Sequence, residues 1–464
     1  MTDFQSSLHV TPIESVEQLV EGFHAGAKPR GAWRIGTEYE KLAVDSRTGR
    51  AIPFSGEGGI ESILRRLAER FGWEPKEEAG RTISLKRGAV SITLEPGGQI
   101  ELAGATCETL HCTRAELVSH VEELIAVGDE MGVTFVGLGI HPSSTLDQIE
   151  LVPKQRYQIM APYMERVGTL GLRMMKQTAT VQANIDYADE QDAMRKVAIG
   201  MRLAPVMNAM FSNSCIVEGQ PSGRMSYRGH IWTDTDNARC GLLPFAFDAS
   251  AAFEHYAAWA LDVPMYFVLR DGRYLRELTG RPFRHFLEHG GSGERATMDD
   301  WNLHLTTLFP EVRLKSFIEF RSTDGQRPAM VLALPALVKG LFYEPDCQAA
   351  AWDLVRTWTF DQVSAALDDA SRHGLQGRLR NIGLHEMARE IGQIAVEGLR
   401  RQACLDDAGR DERVYIEPLL AHVADRRSPG QHTAERWDGE WRRDVRRLVH
   451  DAALTHDSLA PLNF

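Results

Sequence analysis

The sequence predicts an α+β fold in which one sheet is covered by helices. Several stretches between residues 33 and 324 alternate polar and apolar side chains, the mark of strands with one packed face. Stretches with apolar residues at helical spacing are interleaved with them. After Gly325 the pattern is mostly helical, and no repeat, low-complexity tract or long linker interrupts it. Residues 1–464 therefore read as one compact unit with a mainly helical C-terminal part from about residue 326.

The elements follow in order. Residues 14–23 place Val16, Leu19, Val20 and Phe23 on one helical stripe. Residues 33–44, WRIGTEYEKLAV, read as a strand on which Glu38 and Glu40 point to the same face. Two like charges side by side repel unless a cation joins them. On a solvated edge the pair is ordinary; inside a β-rich core it is a candidate ligand pair for a hard divalent cation. Residues 60–71 form a helix striped by Ile60, Ile63, Leu64, Leu67 and Phe71. Residues 83–94 read as a hairpin turning near Arg87-Gly88, with Ile83 and Leu85 on one arm and Val90, Ile92 and Leu94 on the other.

The hairpin runs into residues 94–104, LEPGGQIELAG, where Glu95 and Glu101 flank a Pro-Gly-Gly turn signal. Glu101 lies between Ile100 and Leu102, where an unpaired charge is costly to bury. Either both acids face water or a cation (Arg, Lys or metal) meets them there. Residues 114–131 form an amphipathic helix and 133–139 a buried strand. Gly137-Leu138-Gly139 lacks the helix start that a dinucleotide fingerprint needs. Residues 178–186, TATVQANID, alternate strictly: Ala179, Val181, Ala183 and Ile185 against Thr178, Thr180, Gln182, Asn184 and Asp186. The polar set faces either solvent or a ligand, and its short hydrogen-bonding groups suit a ligand.

Residues 195–211 form a long helix that Pro205 bends. Residues 225–236, MSYRGHIWTDTD, pack Arg228, His230, Trp232, Asp234 and Asp236 together, and Arg228 offers a planar fork for a carboxylate. Residues 262–267 read as an apolar strand. Residues 314–324, LKSFIEFRSTD, alternate again, with Ile318 and Phe320 on one face and Glu319 and Arg321 on the other. Helices are expected over 329–343, 347–359, 361–373, 384–402, 415–423 and 434–454.

Bulk properties exclude several classes of function. A net charge of −12 argues against a nucleic-acid partner. No apolar run reaches the length of a membrane span. Residues 1–20 lack a basic start followed by an apolar block, so no secretory signal is read and a cytoplasmic location is expected. The six cysteines include no CxxC pair and no zinc spacing. Cys107 and Cys112 lie five apart and fit neither pattern, so reduced thiols are expected. No GxSxG, HExxH or GxxxxGK[ST] motif occurs. The polar strand faces instead offer Glu38, Glu40, Glu95, Glu101 and Glu319, with Thr180, Gln182, Asn184, Arg228 and Arg321. Carboxylates with a few arginines suit magnesium-bridged phosphate chemistry.

These residues resemble the glutamate–cysteine ligase family, in its plant-type branch found also in bacteria. The matching motifs are RIGTEYEK (34–41), SITLEPGGQIELAG (91–104), MMKQTATVQANID (174–186), SYRGHIWTDTD (226–236), DVPMYF (262–267), WNLHLTTLFPEVRLKSFIEFRSTD (301–324) and GEW (439–441). The resemblance implies a glutamine synthetase-like carboxylate–amine ligase fold: a central, mainly antiparallel β-sheet forming a cradle, covered by helices. It implies that ATP phosphorylates the γ-carboxylate of L-glutamate and that the amine of L-cysteine then attacks the acyl phosphate. The product is γ-glutamylcysteine, the first intermediate of glutathione biosynthesis. It further implies roughly two or three Mg2+ ions, held by Glu38, Glu40, Glu95, Glu101 and Glu319, with Gln182 where some relatives place a histidine.

By the same resemblance, Arg228 takes the α-carboxylate of glutamate and Arg321 the transferring phosphoryl group. Arg321 and Glu101 are the expected catalytic residues. Arg156, Arg173, Thr180 and Trp232 are further substrate-binding candidates. The wider superfamily shares the Glu-x-Glu and Glu-x-Arg strands, so a γ-glutamyl ligase acting on a different amine is the alternative. Plant members carry a regulatory cysteine in the segment that matches YLRELTG (274–280), which has none here. A monomer or weak homodimer without thiol-switched assembly is therefore expected. Gel filtration should give one elution volume with and without reductant, and a reductant-dependent change of size would overturn this.

Overall fold

The computed structural model describes residues 12–291 and 293–463, so most of the N-terminal stretch read for a secretory signal lies outside the described residues. Its centre is β1 (Ile35–Asp45), whose residues are buried except at Glu38 and Asp45. The remaining strands of the main sheet are β2 (Glu74–Glu78), β3 (Arg81–Arg87), β4 (Val90–Leu94), β5 (Ile100–Ala103), β6 (Val133–Val136), β7 (Val181–Ile185), β8 (Val312–Leu314) and β9 (Ile318–Phe320). Their order is β8-β9-β7-β1-β5-β4-β3-β2, and β6 pairs with the far end of β1. Every pairing in this sheet is antiparallel, as the resemblance implied.

The first half of the chain supplies helices α1 (Glu17–His24), α2 (Ile60–Phe71), α3 (Leu110–Met131), α4 (Gln155–Val167), α5 (Gly171–Gln177), α6 (Glu190–Met210) and α7 (Tyr227–Ile231). Then come α8 (Phe253–Asp262), α9 (Phe283–His289) and α10 (Met298–Leu305). The C-terminal part is helical as expected: α11 (Pro328–Phe342), α12 (Pro345–Val355), α13 (Phe360–His373), α14 (Leu384–Gln402), α15 (Glu417–Asp425), α16 (Pro429–Asp438), α17 (Val445–Ala452) and α18 (His456–Leu459). Helix α11 packs against β1 and β7 and joins α3 and α14 in the cover. Its residues are nearly all buried, which explains why its sequence is apolar around the whole circumference. Ile35, Tyr39, Val181, Ala183, Ile185 and Ile318 meet this side of the sheet as part of one continuous core.

Several expected boundaries move. The strand expected over 178–186 keeps only Val181–Ile185 in the sheet; Thr178 and Thr180 make single bridges, to Ile140 and Asp324. The stretch 262–267 is not a strand. Asp262 ends α8, and Pro264 has no N–H to give a ladder and bridges only Pro282. The alternation over 314–324 belongs to two strands: Leu314 closes β8, and β9 returns beside it. The helix expected over 434–454 is split between α16 and α17. Helix α6 runs through Pro205 without a break.

Cys107 and Cys112 are joined by a disulfide, which corrects the expectation of reduced thiols for this pair. Cys107 is pinned by its bridge to Ile35 at the edge of β1. The first turn of α3, capped by the Thr109 hydroxyl, brings Cys112 back to it, with Cα atoms 5.8 Å apart. Cys215, Cys240, Cys347 and Cys404 are free thiols.

Candidate active site

Antiparallel register does the gathering. Residues directly opposite in such a pair point to the same face. Glu38 faces Gln182 on β7, Glu40 faces Glu101 on β5, and Glu101 faces Thr93 on β4. Glu319 on β9 faces Asn184 on β7 and Arg313 on β8. The polar faces of six strands thus become one surface, and α4, α5 and α7 close over it. Glu38, Glu40, Glu95, Glu101, Arg156, Thr180, Gln182, Arg228, Trp232 and Arg321 line the resulting cavity together.

Glu95 reaches the cavity from the Pro-Gly-Gly turn, which is clamped from outside the sheet. The carbonyl of Leu94 accepts hydrogen bonds from Lys154 Nζ at 2.7 Å and Tyr157 Oη at 2.8 Å. Val152 N donates to the carbonyl of Pro96 at 2.8 Å, and Gln99 Nε2 donates to that of Thr178 at 2.7 Å. A Cβ on Gly97 would stand 2.2 Å from the carbonyl oxygen of Lys176, so no larger residue fits that close approach. Gly98 takes φ of +83°, the left-handed conformation that glycine allows.

The carboxylates are in electrostatic conflict. Burial, then Glu95 and Glu101, hold the Glu40 carboxyl well above the ordinary carboxylate range; Arg228 and the Thr180 N–H only partly oppose this. Burial, then Glu319 and Glu101, raise the Glu38 carboxyl. Hydrogen bonds fix one oxygen of three of them. Glu38 Oε1 accepts from Asn184 Nδ2 at 3.0 Å, Glu40 Oε2 from Thr180 N at 2.9 Å, and Glu101 Oε2 from the Thr93 hydroxyl.

Glu319 is different. It is fully buried, and its oxygens accept from Arg313 Nη2 at 2.7 and 2.8 Å, while Lys315 Nζ stands 3.1 Å away. Arg321 Nη1 donates both to Glu319 and to Gln182 Oε1. Burial alone would raise the Glu319 carboxyl, but Arg313, Lys315 and Arg321 outweigh it and hold it well below the ordinary range. The oxygens of Glu319 and Gln182 are therefore committed to cationic side chains, beside the four cavity carboxylates.

Of the substrate candidates, Arg228 is buried and donates to the carbonyl of Arg321 at 3.2 Å. Trp232 lies across from it, and its buried indole N–H has no hydrogen-bond partner among the described residues. Trp232 lines the cavity, and a buried donor without a partner is one that an added acceptor would satisfy. Thr180 lines the cavity, but its hydroxyl donates to the carbonyl of Thr323 at 2.5 Å. Arg173 is not brought in: it pairs with Glu218 at 2.7 Å and bonds Gln177 at 2.8 Å. Lys315, Arg313, Tyr157 and Gln99 line the cavity without having been singled out from sequence. Arg313 and Lys315 sit in the quoted VRLKSFIEFR run, and a hairpin reading of that run would have set Arg313 opposite Glu319.

The oxygen donors suit a hard cation, and the raised Glu38 and Glu40 carboxyls show charge that the protein alone leaves unbalanced. Among the described residues, no three acidic, histidine or cysteine side chains close around one point. The surface therefore suits an ion that takes one or two carboxylates and completes its shell with phosphate oxygens and water, as magnesium does.

The family model for glutamate–cysteine ligase family 2 (GCS2) matches residues 34–451, the span that holds every residue of this cavity. The chain belongs to glutamate–cysteine ligase family 2. It is 42% identical over 444 residues to glutamate–cysteine ligase A, chloroplastic, of Oryza sativa subsp. indica, covering 95% of this chain and 88% of that protein. It is likewise 42% identical over 434 residues to the chloroplastic glutamate–cysteine ligase of Arabidopsis thaliana, covering 92% and 81%. Among solved structures, its fold is similar to that of a Francisella tularensis glutamate–cysteine ligase in complex with AMP. The TM-score is 0.53 at 11% identity, over 92% of this chain and 89% of the other. As a member of the ligase family, the chain shares the sheet-and-helix fold the sequence predicted.

The conflict in this glutamate–cysteine ligase cavity has a measurable sign. Glu40 is held above its ordinary value, so the folded state binds its proton more tightly than the unfolded chain does. The associated stability is present below the ordinary carboxylate range and is lost as pH rises through the folded value. In chelator-treated protein, Glu40→Gln should raise Tm at about pH 8 and leave it unchanged at about pH 4. Differential scanning calorimetry checks this, and an equal Tm at the higher pH would remove the conflict.

Proposed function

We infer that this protein is an ATP-dependent glutamate–cysteine ligase. A γ-carboxylate oxygen of L-glutamate attacks the terminal phosphorus of ATP, and ADP leaves. The amine of L-cysteine attacks the acyl carbon of the resulting γ-glutamyl phosphate, phosphate leaves, and the nitrogen releases its proton. The observation that carries the reading is one cavity where four carboxylates face Arg228 and Arg321, in a chain matched by the family model across that whole span.

Magnesium is the proposed counter-ion, with Glu38, Glu40, Glu95 and Glu101 as the residues that would hold it. When bound, it would neutralise phosphate oxygens that otherwise repel the substrate carboxylate. Glu319 and Gln182 serve first as anchors for Arg321. Burial works against the charge of Arg321, but Glu319 outweighs it and holds the guanidinium above its ordinary value. Arg321 thus stays cationic at the cavity wall, suited to steady the transferring phosphoryl group. Arg228 offers its fork to the α-carboxylate of glutamate, with the Trp232 N–H as a further donor. Arg156 lines the same cavity and is proposed as a further substrate contact. Closure by α4, α5 and α7 limits water, which would hydrolyse the acyl phosphate.

Two measurements test this. ADP release with glutamate and a panel of amines should be fastest with cysteine; a different preferred amine would overturn the assignment. Glu101→Gln should lower turnover by about a thousandfold while the circular dichroism spectrum stays unchanged. Full turnover in that variant would remove Glu101 from the machinery.

A further inference from the structure

Helix α7 carries Arg228, and Trp232 follows it directly, yet the helix is only five residues long. A helix of that length does not hold its own orientation. Its first N–H groups need acceptors, and two serines supply them. Ser214 Oγ accepts from Arg228 N at 3.0 Å, and Ser226 Oγ, at the N-cap, accepts from Gly229 N at 3.0 Å. A hydroxyl can accept in a fixed direction only when its own proton is directed elsewhere.

Both protons are directed to the same carboxylate. Ser214 Oγ donates to Asp324 Oδ2 at 2.6 Å, and Ser226 Oγ donates to Asp324 Oδ1 at 2.9 Å. Asn213 N adds a third donor to Oδ2 at 2.7 Å. Asp324 is fully buried and lies three residues after Arg321. Its backbone bridges Thr180, whose N–H holds Glu40. One residue therefore ties the carboxylate wall of the cavity to the arm that carries Arg228.

We propose that Asp324 is the positioning residue of this ligase site: its carboxylate orients the Ser214 and Ser226 hydroxyls so that they cap α7 and aim Arg228 and Trp232 at glutamate. This rests on the reading of Arg228 as the partner of the glutamate α-carboxylate. Asp324→Asn tests it, because an amide keeps the shape but turns an N–H2 toward one of the donors.

In steady-state assays of the full chain, Asp324→Asn should raise KM for glutamate by about tenfold or more and leave KM for ATP within about twofold. Combined with Arg228→Gln, it should cost glutamate nothing beyond the single Arg228→Gln change, because both act through one contact. A fall in kcat with both KM values unchanged overturns the proposal, and so do losses that multiply in the double variant. Should Asp324→Asn fail to fold, Ser214→Ala removes only the hydroxyl that caps Arg228, and the same comparison applies. Arg228→Gln alone separates the two readings. If KM for glutamate does not move there, the role of Arg228 falls; if it moves there and not in Asp324→Asn, only the positioning role falls.

Discussion

Carboxylates crowded into a cavity repel one another, and the arrangement of this protein follows from how that repulsion is managed. Glu38, Glu40, Glu95 and Glu101 come from two strands and a turn that would separate if only charge acted on them. What holds them is the opposite face of the sheet. Alternation puts Tyr39, Ile100, Leu102, Val181 and Ile185 into the core beneath. A slip of one residue would expose that set and bury the acids, so the apolar face locks the register that keeps the acids together. Hydrophobic burial thus stabilises an electrostatic arrangement that is unfavourable on its own.

The same sheet resolves repulsion in two ways. Around Glu319 the protein brings its own cations: Arg313 across the hairpin, Lys315 in the turn and Arg321 two residues on. Removing one partner of such a buried pair typically costs about 3–5 kcal/mol, because the remaining charge is left uncompensated. Around Glu38 and Glu40 the protein brings mostly hydrogen bonds, and their carboxyls stay above the ordinary range. The contrast divides the cavity into a wall whose carboxylate is paired with cations and a wall whose carboxyls are held above their ordinary range.

Rigid elements outside the sheet aim what the sheet collects. Tyr157 of helix α4 and Lys154 at its N-cap hold the turn that carries Glu95. Asp324 holds the short helix that carries Arg228 through two hydroxyls. Both supports end on backbone groups: the Leu94 carbonyl in the first case, and the Arg228 and Gly229 N–H groups in the second. Precision in this site therefore comes from satisfied backbone donors and acceptors as much as from the side chains that face a substrate.

The sequence by itself determined the elements whose signal is local. The stripe over 60–71 and the span 384–402 match α2 and α14 to the residue, and the alternation over 83–94 is the β3–β4 hairpin. Glu38 and Glu40 were legible as one face because period two is built into any strand. The motifs also carried the family, since together they span most of the chain. Only the tertiary structure decided which charge meets which. Arg313 faces Glu319, Arg173 turns away to Glu218, Cys107 bonds Cys112, and 262–267 leaves the sheet at Pro264. Periodicity reports the direction of a side chain relative to its own element. A buried charge answers to whatever other elements bring beside it, and that depends on register and packing across distant parts of the chain.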